Sequence, residues 1–323
     1  MIDLVYLWCD DADVRWRAKR EEAVRRFGSP GADAAASCRF RGGDVLRYSL
    51  RSAAVNVPWI RTVFLVIDDD QAVPDFPEVR DSKVRVVRHS EIVPPEFLPT
   101  FNSATIEHFL AEIPGLGDRF LLANDDTLFW RPSGPEFFFA ADGLPFFRFG
   151  ALRSRVADPQ YREYVTTLEN AERLVRDAFG LKGDFRRAFG RLPHHNVDAY
   201  LTADYREAQR RFREEIAASI TSPFRAPQDV QRVLCADWAL AVGRGHFRRA
   251  TFNTKADAGW WRRLLPSWAD SLQIVPGRWR KGPELIDRFK PRLVCFNDGP
   301  STEAGDLAWL RAYLDGRFQE AKL

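Results

Sequence analysis

Three clusters of acids and amides, each placed directly after an apolar run, are the residues here best suited to chemistry. Trp8-Cys9-Asp10-Asp11-Ala12-Asp13 closes the run that starts at Ile2, and Asn124-Asp125-Asp126 follows Phe120-Leu121-Leu122-Ala123. Asn297-Asp298 follows Leu293-Val294-Cys295-Phe296. Hard oxygen donors of this kind hold Mg²⁺ or Mn²⁺, with a diphosphate completing the shell. Adjacent carboxylates repel, and a cation keeps both ionised. Acids after strands also make turns and helix caps, so each cluster alone is a weak signal. Asn124-Asp125-Asp126 is the strongest, because two charges follow a strongly apolar strand directly.

A proton acceptor is the second requirement of transfer chemistry. His89, His108 and His246 fall inside strand or helix patterns and read as structural. His194-His195 differs: it follows Pro193 and opens a helical pattern, where a neutral imidazole is accessible and can take a proton at physiological pH. The pattern alone does not choose between the two rings.

The elements that must position these residues alternate. Ile2 to Trp8, Thr62 to Ile67, Val84 to Val87 and Arg119 to Ala123 are short apolar or β-branched runs that suit buried strands. Asp44 to Val55 and Asn102 to Ile113 have helical periodicity, the latter with Asn102 or Ser103 as cap. Such alternation predicts an α/β fold with a mostly parallel sheet covered by helices, and ligands beyond the carboxyl ends of its strands. The stretch 160–242 is mostly helical and arginine-rich, and reads as a helical subdomain inserted into a single catalytic domain over 1–323. Strand patterns return at Phe247 to Phe252 and Leu293 to Phe296, and an amphipathic helix runs from about Glu303 to Leu314. The loop from Gly28 through Ser37 is linker-like. The tryptophans Trp260, Trp261, Trp268 and Trp279 follow no clear period.

Composition narrows the partners. Among 323 residues, 48 Lys and Arg nearly cancel 45 Asp and Glu, a formal charge of +3. That is too small a surplus to point to nucleic acid. Cys9, Cys38, Cys235 and Cys295 form no CxxC pair, which suits a reducing cytoplasm. Ile2 to Trp8 already reads as a strand, which leaves no room for a signal peptide. No apolar stretch reaches a membrane-spanning length. Association with the inner face of a membrane stays open, since such an enzyme can act on lipid-linked acceptors.

Read together, these segments resemble the Stealth family, whose members include bacterial capsular polysaccharide phosphotransferases and the animal enzyme that puts GlcNAc-1-phosphate on lysosomal glycoproteins. Four blocks carry the resemblance. The first is Ile2-Asp3-Leu4-Val5-Tyr6-Leu7-Trp8-Cys9-Asp10. The second starts at Arg39-Phe40-Arg41 and passes through Leu46-Arg47-Tyr48-Ser49-Leu50-Arg51-Ser52, Pro58-Trp59-Ile60-Arg61, His89-Ser90-Glu91-Ile92, Leu98-Pro99-Thr100-Phe101-Asn102-Ser103 and Ile106-Glu107 to Asn124-Asp125-Asp126. The third is Asn170, His195 and Phe224-Arg225, and the fourth Cys295-Phe296-Asn297-Asp298-Gly299. The sequence departs from the family pattern at Asp11, Gly42-Gly43, Val45 and around His195-Asn196-Val197, which keeps His194 a rival to His195.

The resemblance implies a fold similar to GT-A glycosyltransferases. It also implies transfer of hexose-1-phosphate from a UDP-sugar such as UDP-GlcNAc to a hydroxyl of a glycan or other acceptor, with release of UMP, in capsule or exopolysaccharide synthesis. Carried onto this sequence, it implies Mg²⁺ or Mn²⁺ on Asp125, Asp126, Asn297 and Asp298. His195 becomes the base and Arg225 the clamp on the transferred phosphate, with Asp126 also catalytic. Trp8, Asp10, Arg41, Asn102 and Glu107 become donor contacts. The rival readings are a glycosyltransferase that releases UDP and an inactive protein that only binds sugar nucleotides.

Overall fold

The apolar run Ile2–Leu7 forms β1, and its five leading residues are buried. Burial on both faces is what a parallel sheet covered by helices imposes. The computed structural model describes residues 1–41, 44–155, 162–250, 270–275 and 277–318. Within them β1 lies inside a five-stranded sheet with Ile60–Ile67 (β2), Val84–Arg88 (β3), Arg119–Asn124 (β4) and Asp198–Leu201 (β8), in the order β3-β2-β1-β4-β8. The first four strands run parallel, and β8 is antiparallel to β4.

The chain leaves β1 toward β2 on one side and returns from β3 to β4 on the other. The strand order therefore reverses between β1 and β4, and a crevice opens at their carboxyl ends. Alternate residues feed separate cores. Val5, Phe64, Val66, Phe120 and Leu122 pack toward the helices of the central segment. Leu4, Tyr6, Leu65, Leu121 and Ala123 pack against Leu46, Leu50 and Ala53 of the helix Val45–Asn56.

Two smaller sheets frame the crevice. Thr127–Phe129 (β5), only two residues after β4, pairs antiparallel with Leu293–Phe296 (β11), which lies parallel to Ser271–Ile274 (β10). Phe146–Leu152 (β6) lies between Arg191–Pro193 (β7) and His246–Arg249 (β9). Asp125 and Asp126 are thus the hinge between two sheets.

The expected strands at the first, second, third and fourth positions all form, as does β11. The helix expected from Asn102 to Ile113 is shorter: it spans Ser103–Glu107, and a 3-10 turn at Leu110–Glu112 follows. The segment expected to be mostly helical, 160–242, contains helices at Arg162–Phe179, Thr202–Arg211 and Val233–Ala241, but also β7 and β8. Because β8 pairs with β4, this segment extends the main sheet. His194-His195, expected at the start of a helix, lies between β7 and β8 instead. The helix Val14–Phe27 went unread, because eight of its residues are charged and only Trp16 and Ala23 are buried. Within the linker-like stretch, Ala32–Ala35 forms a helical turn. Gly42-Gly43, Trp260, Trp261 and Trp268, and the end of the strand expected at Phe247 to Phe252, lie outside the described residues.

Candidate active site

The carboxyl ends of β1, β4 and β11 converge on a cleft of about 840 Å³, lined among others by Trp8, Arg41, Asp125, Asp126, His195, Arg225, Asn297 and Asp298. Asp126 lies in this lining, at the turn between β4 and β5. Its Oδ2 accepts the Cys295 thiol at 3.2 Å, while Oδ1 is buried with no hydrogen-bond partner. An unpaired carboxylate oxygen in a buried position costs free energy unless a cation or donor reaches it. Beside it, the Asp125 carboxyl is pushed up to about 8, by burial first and then by the Asp126 charge. Both observations fit a cation at this hinge, since a cation would complete Asp126 and let Asp125 ionise.

Asp126, His195 and Cys295 bring potential ligand atoms within 4.8 Å of one another. Burial and the adjacent Asp126 raise the Cys295 thiol well above its ordinary range, so the sulfur stays protonated and acts as a donor to Asp126. The oxygen donors near Asp126 are the harder set. Asn297 is half-buried and its backbone carbonyl accepts the Trp279 indole N–H at 3.1 Å. Asp298 is engaged by Arg41, whose Nη1 lies 2.9 and 3.2 Å from its two oxygens. Arg41 and Asp298 therefore reach the cleft as a pair.

The two histidines separate sharply. His194 is 4% exposed, with Nδ1 3.3 Å from Ser271 Oγ and Nε2 3.4 Å from Asp198 Oδ1. The His195 side chain is 35% exposed, and its Nε2 lies 4.0 Å from Asp126 Oδ2. The Asn124 amide nitrogen lies 3.4 Å from the same Nε2. His195 is therefore the more exposed of the two rings in the cleft lining, and His194 is held between Ser271 and Asp198.

The cleft lining also includes Arg225, whose Nη2 donates to Ser103 Oγ at 2.6 Å. Glu107 reaches the wall too, but its Oε1 accepts Arg232 Nη1 at 3.0 Å. Arg232 Nη2 in turn donates to Asp198 at 2.7 Å. Trp8 lines the cleft, with its indole N–H buried and unpartnered. Asp10 and Asn102 are not brought to the cleft wall. Asp10 Oδ1 accepts the Ala12 N–H in a turn, and Asn102 is fully buried behind Arg225.

Residues 39–147 match the family model described as Stealth protein CR2, conserved region 2. An exopolysaccharide phosphotransferase from Streptomyces coelicolor is 35% identical over 97% of this chain and 32% of its own length. One from Nocardia farcinica is 33% identical over 99% of this chain and 60% of its own length. A capsular polysaccharide phosphotransferase from Haemophilus influenzae is 29% identical over 71% of this chain and 62% of its own length. This chain belongs to the Stealth family. It spans from about a third to about three-fifths of the length of these relatives. Among solved structures it is similar to a galactosyltransferase in complex with donor and acceptor sugar analogs. That likeness covers 99% of this chain and 97% of the other, at 13% identity and a TM-score of 0.44, too distant to carry an inference.

The Stealth match includes Arg41, Asn102, Glu107 and Asn124 to Asp126, and stops short of His195, Arg225 and Asn297. Several site residues went unread in the sequence. Cys295 left one signal: the period of two along β11 puts it on the side of Asn297, facing Asp126. Asp229 and Arg232 left none, because only tertiary packing brings them to the cleft wall. Trp279, within the unassigned tryptophan run, is buried and lines the cleft.

Proposed function

We propose that the chain is the catalytic part of a sugar-1-phosphate transferase that moves hexose-1-phosphate from a UDP-sugar to an acceptor hydroxyl. The observation that carries this reading is the facing of His195 Nε2 and Asp126, 4.0 Å apart, at the switch point of the sheet. Here a proton acceptor and an incompletely paired carboxylate share one cleft with Arg225. The names of the relatives, exopolysaccharide and capsular polysaccharide phosphotransferases, support the reaction class.

The acceptor oxygen attacks the β-phosphorus, the bond to the α-phosphate oxygen breaks, and UMP leaves. The product is a phosphodiester between acceptor and sugar. Phosphoryl transfer needs position and charge stabilisation more than covalent help. His195 Nε2 takes the acceptor proton. Arg225, with a planar fork suited to two oxygens, holds the transferred phosphate. Trp8 offers its unpartnered indole N–H to the donor, and the Arg41–Asp298 pair borders it. Asp125 and Asp126, with Asn297, would hold Mg²⁺ or Mn²⁺, which neutralises charge on the diphosphate when bound. UDP-GlcNAc is the first donor to try, and a glycan of capsule or exopolysaccharide the first acceptor. The four cysteines are all free, in keeping with a reducing compartment. Among the described residues no helix is long and apolar enough to cross a membrane.

Nucleotide release from a panel of UDP-hexoses, with Mg²⁺ or Mn²⁺ and envelope acceptor extract, tests the reading. UMP supports it, and UDP means a glycosyltransferase on the same site. No release from any donor favours a protein that binds sugar nucleotides without turning them over.

A further inference from the structure

Asn102 and Asp229 form a buried pair directly behind Arg225, and its construction goes beyond what the fold requires. Asn102 Nδ2 donates to Asp229 Oδ2 at 2.7 Å, and the Ala226 N–H donates to the same oxygen at 3.0 Å. Asn102 Oδ1 accepts the Ala104 N–H at 3.0 Å, capping the helix Ser103–Glu107. Ser103, the first residue of that helix, takes the Arg225 guanidinium. On the far side, Asn170 Nδ2 donates to the carbonyls of Pro227 and Asp229 at 2.9 and 3.0 Å. Below, the Phe101 N–H donates to the Pro223 carbonyl at 2.8 Å, and Phe101 stacks on Phe224. Residues 223–229 are therefore laced on two sides, with Arg225 between the laces.

Asn102 is 0% exposed and Asp229 1% exposed. The second oxygen of Asp229 is buried with no partner. A half-satisfied buried carboxyl is unfavourable for stability, and an apolar pair of the same size would pack there at lower cost. The pair's local effect is different: it fixes the backbone at Ala226, next to Arg225, and the helix start at Ser103, which the Arg225 guanidinium bonds.

We propose that Asn102 and Asp229 are positioning residues that hold the Arg225 guanidinium at the height of the transferred phosphate. This rests on the phosphate-clamp role given to Arg225 above. Placement errors of about 1 Å cost on the order of 100-fold in rate, so a mispositioned Arg225 is visible in turnover.

The test is made in the full chain. N102D puts two carboxyls face to face, and D229A removes the oxygen that accepts both the Asn102 amide and the Ala226 N–H. D229N is the conservative control, because an amide oxygen in the place of Asp229 Oδ2 still accepts both donors. N102D and D229A should each lower kcat for UDP-sugar-dependent nucleotide release by about 10- to 100-fold, with KM for the donor little changed. D229N should keep kcat within about threefold of the wild type, and in an R225K background N102D and D229A should add little. Amide hydrogen exchange over 224–229 should quicken in N102D and D229A and stay near that of the wild type in D229N, a readout that needs no turnover. Unchanged exchange in N102D and D229A overturns the proposal, as does a kcat lost in D229N without a change in exchange. Nucleotide identity in the wild type is scored separately. UDP in place of UMP overturns the sugar-phosphate reading and leaves the variants to judge the positioning role.

Discussion

The Cys295 thiol donates to Asp126 Oδ2 across the junction of two sheets, at 3.2 Å. That contact orients the carboxylate so that Oδ1 remains without a partner. The turn from β4 to β5 has only Asp125 and Asp126 to make it. The register that pairs Cys295 with Thr127 therefore fixes where the carboxylate can point.

Asp126→Asn removes the charge and keeps the volume. Turnover should fall by about 100-fold or more, the size of effect seen when a group that stabilises transition-state charge is lost. Mn²⁺ titration by calorimetry should show weakened binding in the same variant, while far-ultraviolet dichroism stays that of the wild type. Wild-type turnover in a well-folded Asp126→Asn protein would remove Asp126 from the chemistry.

The neighbouring histidines should fail in different ways. His195→Gln should lower kcat by about 10²–10⁴-fold, the range for losing a general base, with little change in Tm. His194→Gln should lower Tm, because that ring is buried between Asp198 and Ser271, and should spare more of the activity. A catalytic defect larger in His194→Gln than in His195→Gln would reverse the assignment.

The pH dependence of stability follows from Asp125. Its carboxyl is pushed up to about 8, from an unfolded value near 3.8. Between these values the folded chain keeps a proton that the unfolded chain has released, so this group's contribution falls as pH rises. His89, held neutral by burial with its pKa lowered to about 4, contributes a rise between about 4 and 6.5. Comparing wild type with Asp125→Asn isolates the first effect. In EDTA, Tm should decline more steeply with pH in the wild type than in the variant. Added Mg²⁺ should raise the wild-type Tm more at about pH 8 than at about pH 6, because a cation favours the ionised pair. Equal metal effects in wild type and variant would separate Asp125 from the cation.

Much of this site was legible before the fold was known, and the reason is local. Acids placed after apolar runs mark strand ends wherever they occur, and β1, β4 and β11 form with their acids at one edge. The strand order that makes that edge a crevice follows from β-α-β connections. What stayed hidden depends on antiparallel partners far apart in sequence. β8 adds to β4 only after the whole of 125–197 has intervened, and it carries Asp198 to Arg232 and His194. No periodicity in 191–201 announces two strands, because Arg191–Pro193 and Asp198–Leu201 are each too short to show alternation. Asn102, expected as a helix cap by its position and as a donor contact by the family resemblance, does cap its helix, but its bond to Asp229 joins residues 127 apart in sequence and no local pattern announces it.

Ser49 links the core to the acid turn, and its removal gives the last expected outcome. The Tyr6 hydroxyl, fully buried on β1, lies 2.8 Å from Ser49 Oγ, which in turn donates to the Thr127 carbonyl directly after Asp126. Ser49→Ala leaves the Tyr6 hydroxyl buried without its partner, which costs about 1–3 kcal/mol. Tyr6→Phe removes the hydroxyl together with its need for a partner, so its loss should be smaller. The double variant should then be more stable than the sum of the two single losses predicts, since the orphaned hydroxyl is gone. Urea unfolding of the four proteins measures this coupling. Turnover should also drop in Ser49→Ala, because the turn that carries Asp126 loses a tether. A stability loss in Tyr6→Phe equal to or greater than that in Ser49→Ala would show that the hydroxyl is satisfied by another group.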